Sequence, residues 1–177
     1  MTYNQSDLQN VLYWIQEAPF SDAGALKAKP NFSYIEWLNR GKALARIGDI
    51  LVDLIEKENL QLPSRDSYKY IYALGWTGHA RAEEILMKAL AKSNHIRIRI
   101  EAVAALGRLK ITSAFDTLRT LLSDKTEDRN VRGNACIALG NLHLADVKPI
   151  LREFETDADP FVARCVKEAL RILGETR

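Results

Sequence analysis

The sequence predicts an all-α fold in which helical pairs stack into an α-solenoid. A short phrase of the form Ala-x-x-Ala-Leu-Gly recurs four times, with Tyr70 in place of the first Ala in the first copy and Ile172 in place of the second Ala in the last, and its glycines are 32, 33 and 34 residues apart. A period of about 20 to 50 residues is typical of repeat architectures, because one unit is too small to bury its apolar face alone. A hydrophobic content of 47% in 177 residues is ample for a packed core. The four copies end at Gly75, Gly107, Gly140 and Gly174.

Residues 1–62 lie outside this repeat and are predicted to form a helical N-terminal cap. We expect one helix over about residues 6–17, a loop with two prolines, and a long helical stretch over 33–59 with a break near Gly48. Residues 44–48 resemble an eroded copy of the repeated phrase. Eleven of the 14 aromatic residues lie at or before Trp76, which favours a bulky cap core, with an aromatic ligand pocket as the alternative.

Each repeat is predicted to contain two helices. From Ile98 onwards, apolar residues fall on one helical face, and this longer pattern outweighs the strand-like alternation of residues 95–100. Gly107 is expected to end or weaken this first helix. Ser113 and Asp116 have capping-box spacing and predict the start of the second helix. Pro149 is compatible with the second helix of the next repeat, because it falls in the first turn.

The last repeat is incomplete in this sequence. A helix is predicted from Pro160 to Gly174, with no second helix after it. The apolar residues Val162, Val166, Ile172 and Leu173 would then include a face that lacks the cover of a complete repeat. Two alternatives follow: the helix is a simple cap packed on the third repeat, or residues 160–174 support self-association.

Residues 63–177 resemble the HEAT-like repeats of the bacterial type found in phycobilisome lyases, most strongly over 94–154. The resemblance implies a right-handed α-solenoid whose concave face is lined by the second helix of each pair. It also implies an arginine near the start of each first helix and an acid in the turn before it. Arg132 and Asp128 match that arrangement, whereas Arg99 has Asn94 or His95 in place of the acid.

Charge and composition exclude few partners. Lys and Arg number 25 and Asp and Glu 23, so the net charge of +2 gives no field that would attract nucleic acid or an anionic membrane. The chain has no run of 18 apolar residues and no signal-peptide pattern at its start, so we expect a cytoplasmic protein without membrane contact. Cys136 and Cys165 are expected to be buried free thiols.

No grouping of residues predicts catalysis. The three histidines fall in separate turns, which argues against a metal site, and Glu83 and Glu84 are interpreted as solvated charges. Gly75 and Gly78 follow a helix rather than a strand, so they do not predict a phosphate loop. We therefore expect no catalytic residue, cofactor or metal.

The sequence is interpreted as a noncatalytic scaffold or adaptor that binds another protein or peptide on its concave face. The alternative suggested by the resemblance is a subunit of a phycobilin (chromophore) lyase, and a HEAT-fold DNA glycosylase is disfavoured by the charge balance. The candidate partner-binding residues are polar positions of the second helices: Arg81, Glu84, Lys88, Ser113, Asp116, Thr120, Asp146 and Glu153.

Overall fold

The structure, a computed structural model, describes residues 3–16, 32–43, 46–60 and 67–174. Every regular element in these ranges is helical, so the expected all-α class is confirmed and residues 95–100 are not a strand. A short 3-10 turn, Thr112–Ala114, precedes α7. The α-helices are α1 Gln5–Gln16, α2 Phe32–Ala43, α3 Ile47–Lys57, α4 Ser67–Leu74, α5 Ala82–Lys92, α6 Ile96–Arg108, α7 Phe115–Ser123, α8 Arg129–Leu142, α9 Val147–Arg152 and α10 Pro160–Ile172.

The N-terminal part is close to the sequence prediction. The long helical stretch is divided into α2 and α3, with Arg46 in the left-handed region at φ 49° just before α3. Trp14 of α1 is buried and lies so close to Gly41 that a β-carbon there would be 2.3 Å from its ring. Tyr3 donates a hydrogen bond of 2.8 Å to Asp53 of α3. The predicted boundary at residues 62 and 63, and the first two residues of the eroded phrase at 44–48, lie outside the described residues.

Aspartates begin the two longest helices at the C-terminal end of the array. The Asp128 carboxylate accepts a hydrogen bond of 2.7 Å from the backbone N–H of Asn130, and Asp159 accepts one of 2.7 Å from Phe161. Such caps satisfy backbone donors that have no partner within the helix. The capping box predicted at Ser113 is wrong, because this hydroxyl instead donates to Glu83 of α5 at 2.6 Å.

The helices form two layers. The first helices of successive units, α4, α6, α8 and α10, pack directly on one another, whereas the second helices α5, α7 and α9 make little contact among themselves. In a curved stack the more closely spaced layer lies on the inner side. The first helices therefore line the concave side, which corrects the expectation that the second helices do so.

Glycine and alanine of the repeated phrase make this close packing possible. A β-carbon on Gly107 would lie 2.4 Å from the Cα of Ala138 in the next unit, and one on Gly140 would lie 3.0 Å from the carbonyl oxygen of Ala169. Gly107 and Gly140 lie inside α6 and α8, and α6 ends at Arg108, one residue after the end expected at Gly107. Helices can cross at close range only where the facing side chains are this small.

Two arginines, the buried Arg132 and the half-buried Arg99, link successive units. Arg132 donates to the carbonyl of Leu122 at 3.0 Å and, through both terminal nitrogens, to Asp157 at 2.6 and 3.3 Å. Arg99 repeats the arrangement, with a bond of 2.7 Å to the carbonyl of Leu90 and an ion pair with Glu127. Each arginine thus joins the second helix of the preceding unit to the turn before the next first helix.

The acidic partners differ from those implied by the resemblance. Asp128 does not pair with Arg132 but caps its helix, and the acid that pairs with Arg99 is Glu127, which follows Arg99 by 28 residues. Each arginine therefore pairs with an acid that follows it in the sequence rather than with one that precedes it. Four residues after its capping aspartate, where α8 has Arg132, α10 has Ala163.

The last described helix packs on α8 through its apolar face. Val162 and Val166 are fully buried, so the expectation that they lack cover is wrong, whereas Ile172 and Leu173 are half-buried. Arg164, Lys167 and Arg171 are exposed. Self-association through residues 160–174 stays a prediction.

We expect Gly107→Ala to lower the free energy of unfolding by about 1 to 3 kcal/mol, because the added methyl group must displace the backbone of α8. Alanine is intrinsically the better helix former by about 1 kcal/mol, so a purely local effect would have the opposite sign. Urea unfolding followed by circular dichroism measures the change. Ala91→Ser on the exposed side of α5 is the control, and an unchanged or raised midpoint for Gly107→Ala would refute the close-packing account.

Asp157 gives a second test. Burial alone would raise its pKa, but hydrogen bonds from Arg132 and Lys125 outweigh this and hold the pKa well below its usual range. A lowered folded-state pKa stabilises the fold fully above about pH 4, the unfolded value, and this contribution is lost as the pH falls further towards the folded value. Asp157→Asn should therefore cost about 3 to 5 kcal/mol at pH 7 and flatten the acid dependence of stability.

Urea unfolding between pH 7 and pH 3 checks this expectation. Asp116→Asn is the control, since that carboxylate is exposed on α7. Equal effects of the two substitutions at pH 7 would show that the buried ion pair does not stabilise the array.

Candidate functional site

The residues predicted to bind a partner are all exposed on the second helices or the turns before them. They lie on the outer layer, away from the concave side, and several are held by intramolecular bonds. Arg81 pairs with Glu56 of α3 at 2.7 Å and with Glu84 at 3.0 Å, and Ser113 donates to Glu83. These bonds connect the second helices across units. A partner-binding role for the eight residues stays a prediction.

The first helices present a different surface, which we call the inner face. It consists of the helix positions that point away from the second helices, and these are half-buried or exposed while their neighbours are buried. The repeat spacing aligns Lys69, Glu101 and Asn134 in one row across α4, α6 and α8, and Trp76, Arg108 and Asn141 in another. The further members are Tyr72, Arg97, Ala104, Asn130 and Ile137.

Arginine and aromatic side chains meet where α6 packs on α4. The Arg108 guanidinium carbon lies 4.3 Å from the ring centre of Trp76 and 5.2 Å from that of Tyr72. The Arg97 guanidinium lies 5.0 Å from the ring centre of Tyr68, and Tyr72 contacts Trp76 edge to face. A guanidinium over an aromatic face is attracted by the electrons of the ring and is held in one plane. Both arginines therefore lie against aromatic rings on the inner face.

Glu101 lies between these arginines on the same face of α6. Burial raises the pKa of its carboxyl to about 7, although the positive charges of Arg108 and Arg97 act against the rise. Its side chain has no hydrogen bond or ion pair with any residue that the structure describes. A carboxyl that gains and loses a proton near neutral pH in a concave surface is a candidate functional group.

The other ionisable groups are scattered. His79 lies 3.1 Å from Asp49 of α3, while His95 and His143 are in exposed turns. Within residues 3–16, 32–43, 46–60 and 67–174, no three His, Cys, Asp or Glu side chains are grouped to hold a metal ion. Cys136 and Cys165 are buried and free, as expected, and burial raises the pKa of Cys165 to about 11.

The outer layer contains a small cavity between the end of α3 and α5. Its volume of 230 Å³ is below the range of about 300 to 1,000 Å³ that small-molecule sites usually occupy. Its wall carries acidic and basic side chains in equal number, among them Glu56 and Lys88. In the part of the chain that the structure describes, no helix is both long and apolar enough to cross a membrane.

Comparison with known proteins connects this fold to a group of enzymes. Residues 67–129 match the family model of HEAT repeats. The chain is 30% identical over 112 residues to the deoxyhypusine hydroxylase of Drosophila melanogaster, covering 63% of this chain and 37% of that protein. It is also 30% identical over 119 residues to deoxyhypusine hydroxylase-B of Oryza sativa subsp. japonica, covering 67% and 39% respectively.

A solved structure has a similar fold. Human deoxyhypusine hydroxylase in complex with glycerol superposes with a TM-score of 0.60 and 19% identity, over 97% of this chain and 63% of that one. This similarity establishes the fold as a HEAT-repeat α-solenoid. The chain spans only about 37 to 39% of the length of the curated relatives cited above.

These relatives overturn the function expected from the sequence. They are enzymes, so the interpretation as a noncatalytic scaffold is wrong, and so is the expectation of a protein without an enzymatic role. Nothing among the matches supports a phycobilin lyase subunit. The repeated phrase misled because its residues are buried packing positions shared by repeats of different function. The residues of the candidate site, Glu101 and the arginines beside it, lie outside the repeated phrase.

We expect Glu101→Gln to raise the free energy of unfolding at pH 8 by about 1 to 3 kcal/mol relative to the unsubstituted chain. A carboxyl whose pKa is higher in the folded than in the unfolded state makes the fold less stable as the pH rises from about 4 to about 7. Glutamine removes this loss of stability. Urea unfolding at pH 4 and pH 8 measures the difference, which should vanish at pH 4. Glu36→Gln, exposed on α2, is the control, and equal effects of both variants at pH 8 would contradict the account.

Proposed function

We propose that the chain takes part in the hydroxylation of a protein that bears deoxyhypusine, and that its inner face holds this protein. The observation that carries the proposal is the 30% identity to deoxyhypusine hydroxylases of two distant organisms over more than 110 residues. A match of 112 residues is longer than the N-terminal 62 residues, so it includes part of the HEAT-like array, and the same array builds the inner face. The fold of human deoxyhypusine hydroxylase supports this relationship.

The geometry of the inner face suits a protein substrate. Solenoids bind extended partners along their concave side, because successive units add contacts in one direction. Here the concave side combines stacked arginines, aromatic rings and asparagines over α4, α6 and α8. Glu101 adds a carboxyl that can hold or release a proton near pH 7.

Hydroxylation also needs a group that activates oxygen, such as a redox-active metal or an organic cofactor. A metal of this kind is commonly held by two histidines and a carboxylate. The described residues do not fit such a centre, because Glu101 has arginines rather than histidines beside it and the histidines lie in separate turns. The roles proposed for this chain are therefore the binding of the protein and the handling of a proton at Glu101.

A direct assay tests the proposal. The purified chain is incubated in air with a deoxyhypusine-bearing protein, a reductant and each divalent first-row metal in turn, with and without extract of the native cell. Mass spectrometry then measures the gain of one oxygen atom on the substrate. With extract present to supply the oxygen-activating group, we expect the chain to raise hydroxylation above that of extract alone, and we expect Glu101→Gln to lower this gain by about 10-fold or more, since it removes the group that exchanges a proton at the site.

Glu36→Gln should leave the rate unchanged. The Drosophila melanogaster hydroxylase in the same assay shows that substrate and reductant are competent. If that enzyme adds oxygen while the chain adds none under any condition, the proposed function is wrong.

A further inference from the structure

Three rows of side chains cross the inner face, from α4 over α6 to α8. The spacing that separates the glycines of the repeated phrase also separates the members of each row. The middle row is apolar or aromatic and half-buried, and it consists of Tyr72, Ala104 and Ile137. The first row consists of Lys69, Glu101 and Asn134, and the third of Trp76, Arg108 and Asn141. The inner face is therefore an apolar strip with polar side chains along both edges.

The spacing of the rows suits an extended polypeptide. On α6 the first and third rows lie three and four residues from Ala104, which is about 4.5 and 6 Å along the helix axis. The backbone N–H and C=O groups of an extended chain point sideways and reach partners about 4.7 to 4.9 Å away, the distance between neighbouring strands. A chain that follows the middle row thus has its backbone groups level with both outer rows, and its alternate side chains face the apolar strip.

Three polar side chains on this face have hydrogen-bonding capacity left for a ligand. Asn134 donates to the carbonyl of Asn130 at 2.8 Å, which leaves its amide oxygen and one N–H. Neither Asn141 nor Glu101 has a side-chain hydrogen bond to a residue that the structure describes. All three are half-buried, so part of the water that would solvate them is already excluded. A side-chain amide offers one acceptor and two donors, which matches both polar groups of a peptide unit.

The cations of the inner face do not select a charged partner. Arg97 and Arg108 lie over aromatic rings of α4 and of the turn after it. Both arginines and Lys69 also have other interactions within the chain. A charged segment would have to replace these contacts. The groups that remain for a partner are the amides of α8, the Glu101 carboxyl and the apolar strip.

The apolar strip ends at α10. Ala169 occupies the crossing position in α10 that Ala138 occupies in α8. Glu168 therefore stands where α8 has Ile137. Its carboxylate pairs with Arg171 at 2.6 Å. The strip thus covers α4, α6 and α8, whose axes are spaced by about 8 to 10 Å, and about six extended residues span it.

We infer that the inner face binds an extended, uncharged segment of a protein through its backbone. The peptide groups of the segment bind Glu101, Asn134 and Asn141, and its alternate apolar side chains pack on the middle row. This inference rests on the proposed function, for which it names the kind of protein segment that is held.

Fluorescence anisotropy with the full chain tests the inference. The parent probe is a labelled peptide of about nine residues that alternates Leu and Ser, long enough to cross the strip when extended. Matched probes carry N-methyl groups on the Ser backbone nitrogens, Ser in place of every Leu, or Glu or Lys in place of every Ser. We expect N-methylation and loss of the leucines each to weaken binding about 10-fold or more, because they remove backbone donors and apolar contacts. The Glu and Lys probes should bind within about 3-fold of the parent, because the exchanged side chains face solvent.

Variants of the chain locate the site. Asn141→Ala and Ile137→Ser should each weaken binding of the parent probe about 3- to 10-fold, through loss of hydrogen bonds and of apolar contact. The matched controls, Asn94→Ala in the turn before α6 and Ile150→Ser on α9, lie outside the inner face and should not change affinity. Circular dichroism shows whether each variant is folded, and Ile137→Ala offers a milder change if Ile137→Ser is not.

Several outcomes would overturn the inference. A preference of more than about 10-fold for the Glu or the Lys probe would show that charge selects the partner. Equal binding of the N-methylated probe would show that the backbone is not recognised. Absence of binding by the parent probe, tighter binding of a short single-stranded DNA, or an unchanged affinity of the folded inner-face variants would equally refute it.

The two proposals fail separately. Hydroxylation without binding of the parent probe would overturn the inference about the segment and leave the proposed function standing. Binding of the parent probe without hydroxylation, in an assay where the fruit fly enzyme is active, would overturn the proposed function and support the binding site.

Discussion

The close approach of the first helices is the constraint on which the rest of this structure depends. At each crossing a glycine of one unit faces an alanine of the next, as Gly107 faces Ala138 and Gly140 faces Ala169. Because no side chain separates these backbones, the first helices are spaced more closely than the second helices, and the stack curves towards them. The curvature decides which side chains can act together on one ligand. Lys69, Glu101 and Asn134 come from separate units yet occupy one row of the inner face.

The buried arginines fix the order of the units rather than their curvature. An ion pair such as Arg132 with Asp157 gains little over a well-packed apolar pair, because burial costs both partners their hydration, but breaking it is costly. These ion pairs therefore specify how neighbouring units are aligned, because each arginine contacts its acid only if the next unit is correctly placed. The arrangement has two members, Arg99 and Arg132. At the equivalent positions on either side stand Ser67 and Ala163, two small residues that carry no charge.

The sequence predicts the features of the fold that depend on residues close together in the chain. Helical spacing and aspartate caps place most of the repeat helices, and the apolar stripe of the phrase is buried as expected. Contacts between units depend on more than one helix. The helical period of the sequence therefore predicts neither which helices line the concave side nor that Arg132 pairs with an acid of the next unit. The candidate site shows the same limit. Arg97 and Arg108 are visible in the sequence as a basic group, but only the packing of α6 on α4 places them over aromatic rings.

Glu101 explains why function was harder to predict than fold. In the sequence it is one acid among several, and its negative charge offsets part of the positive charge of the basic residues around it. Its chemical character arises from burial, which raises its pKa to about 7, and burial depends on α4, α6 and α8 together. In a repeat array the packing residues recur while the inner-face residues are free to differ, since a change there leaves the crossings intact. One solenoid can therefore carry unrelated chemistry, and the site, rather than the repeat, has to be examined to find it.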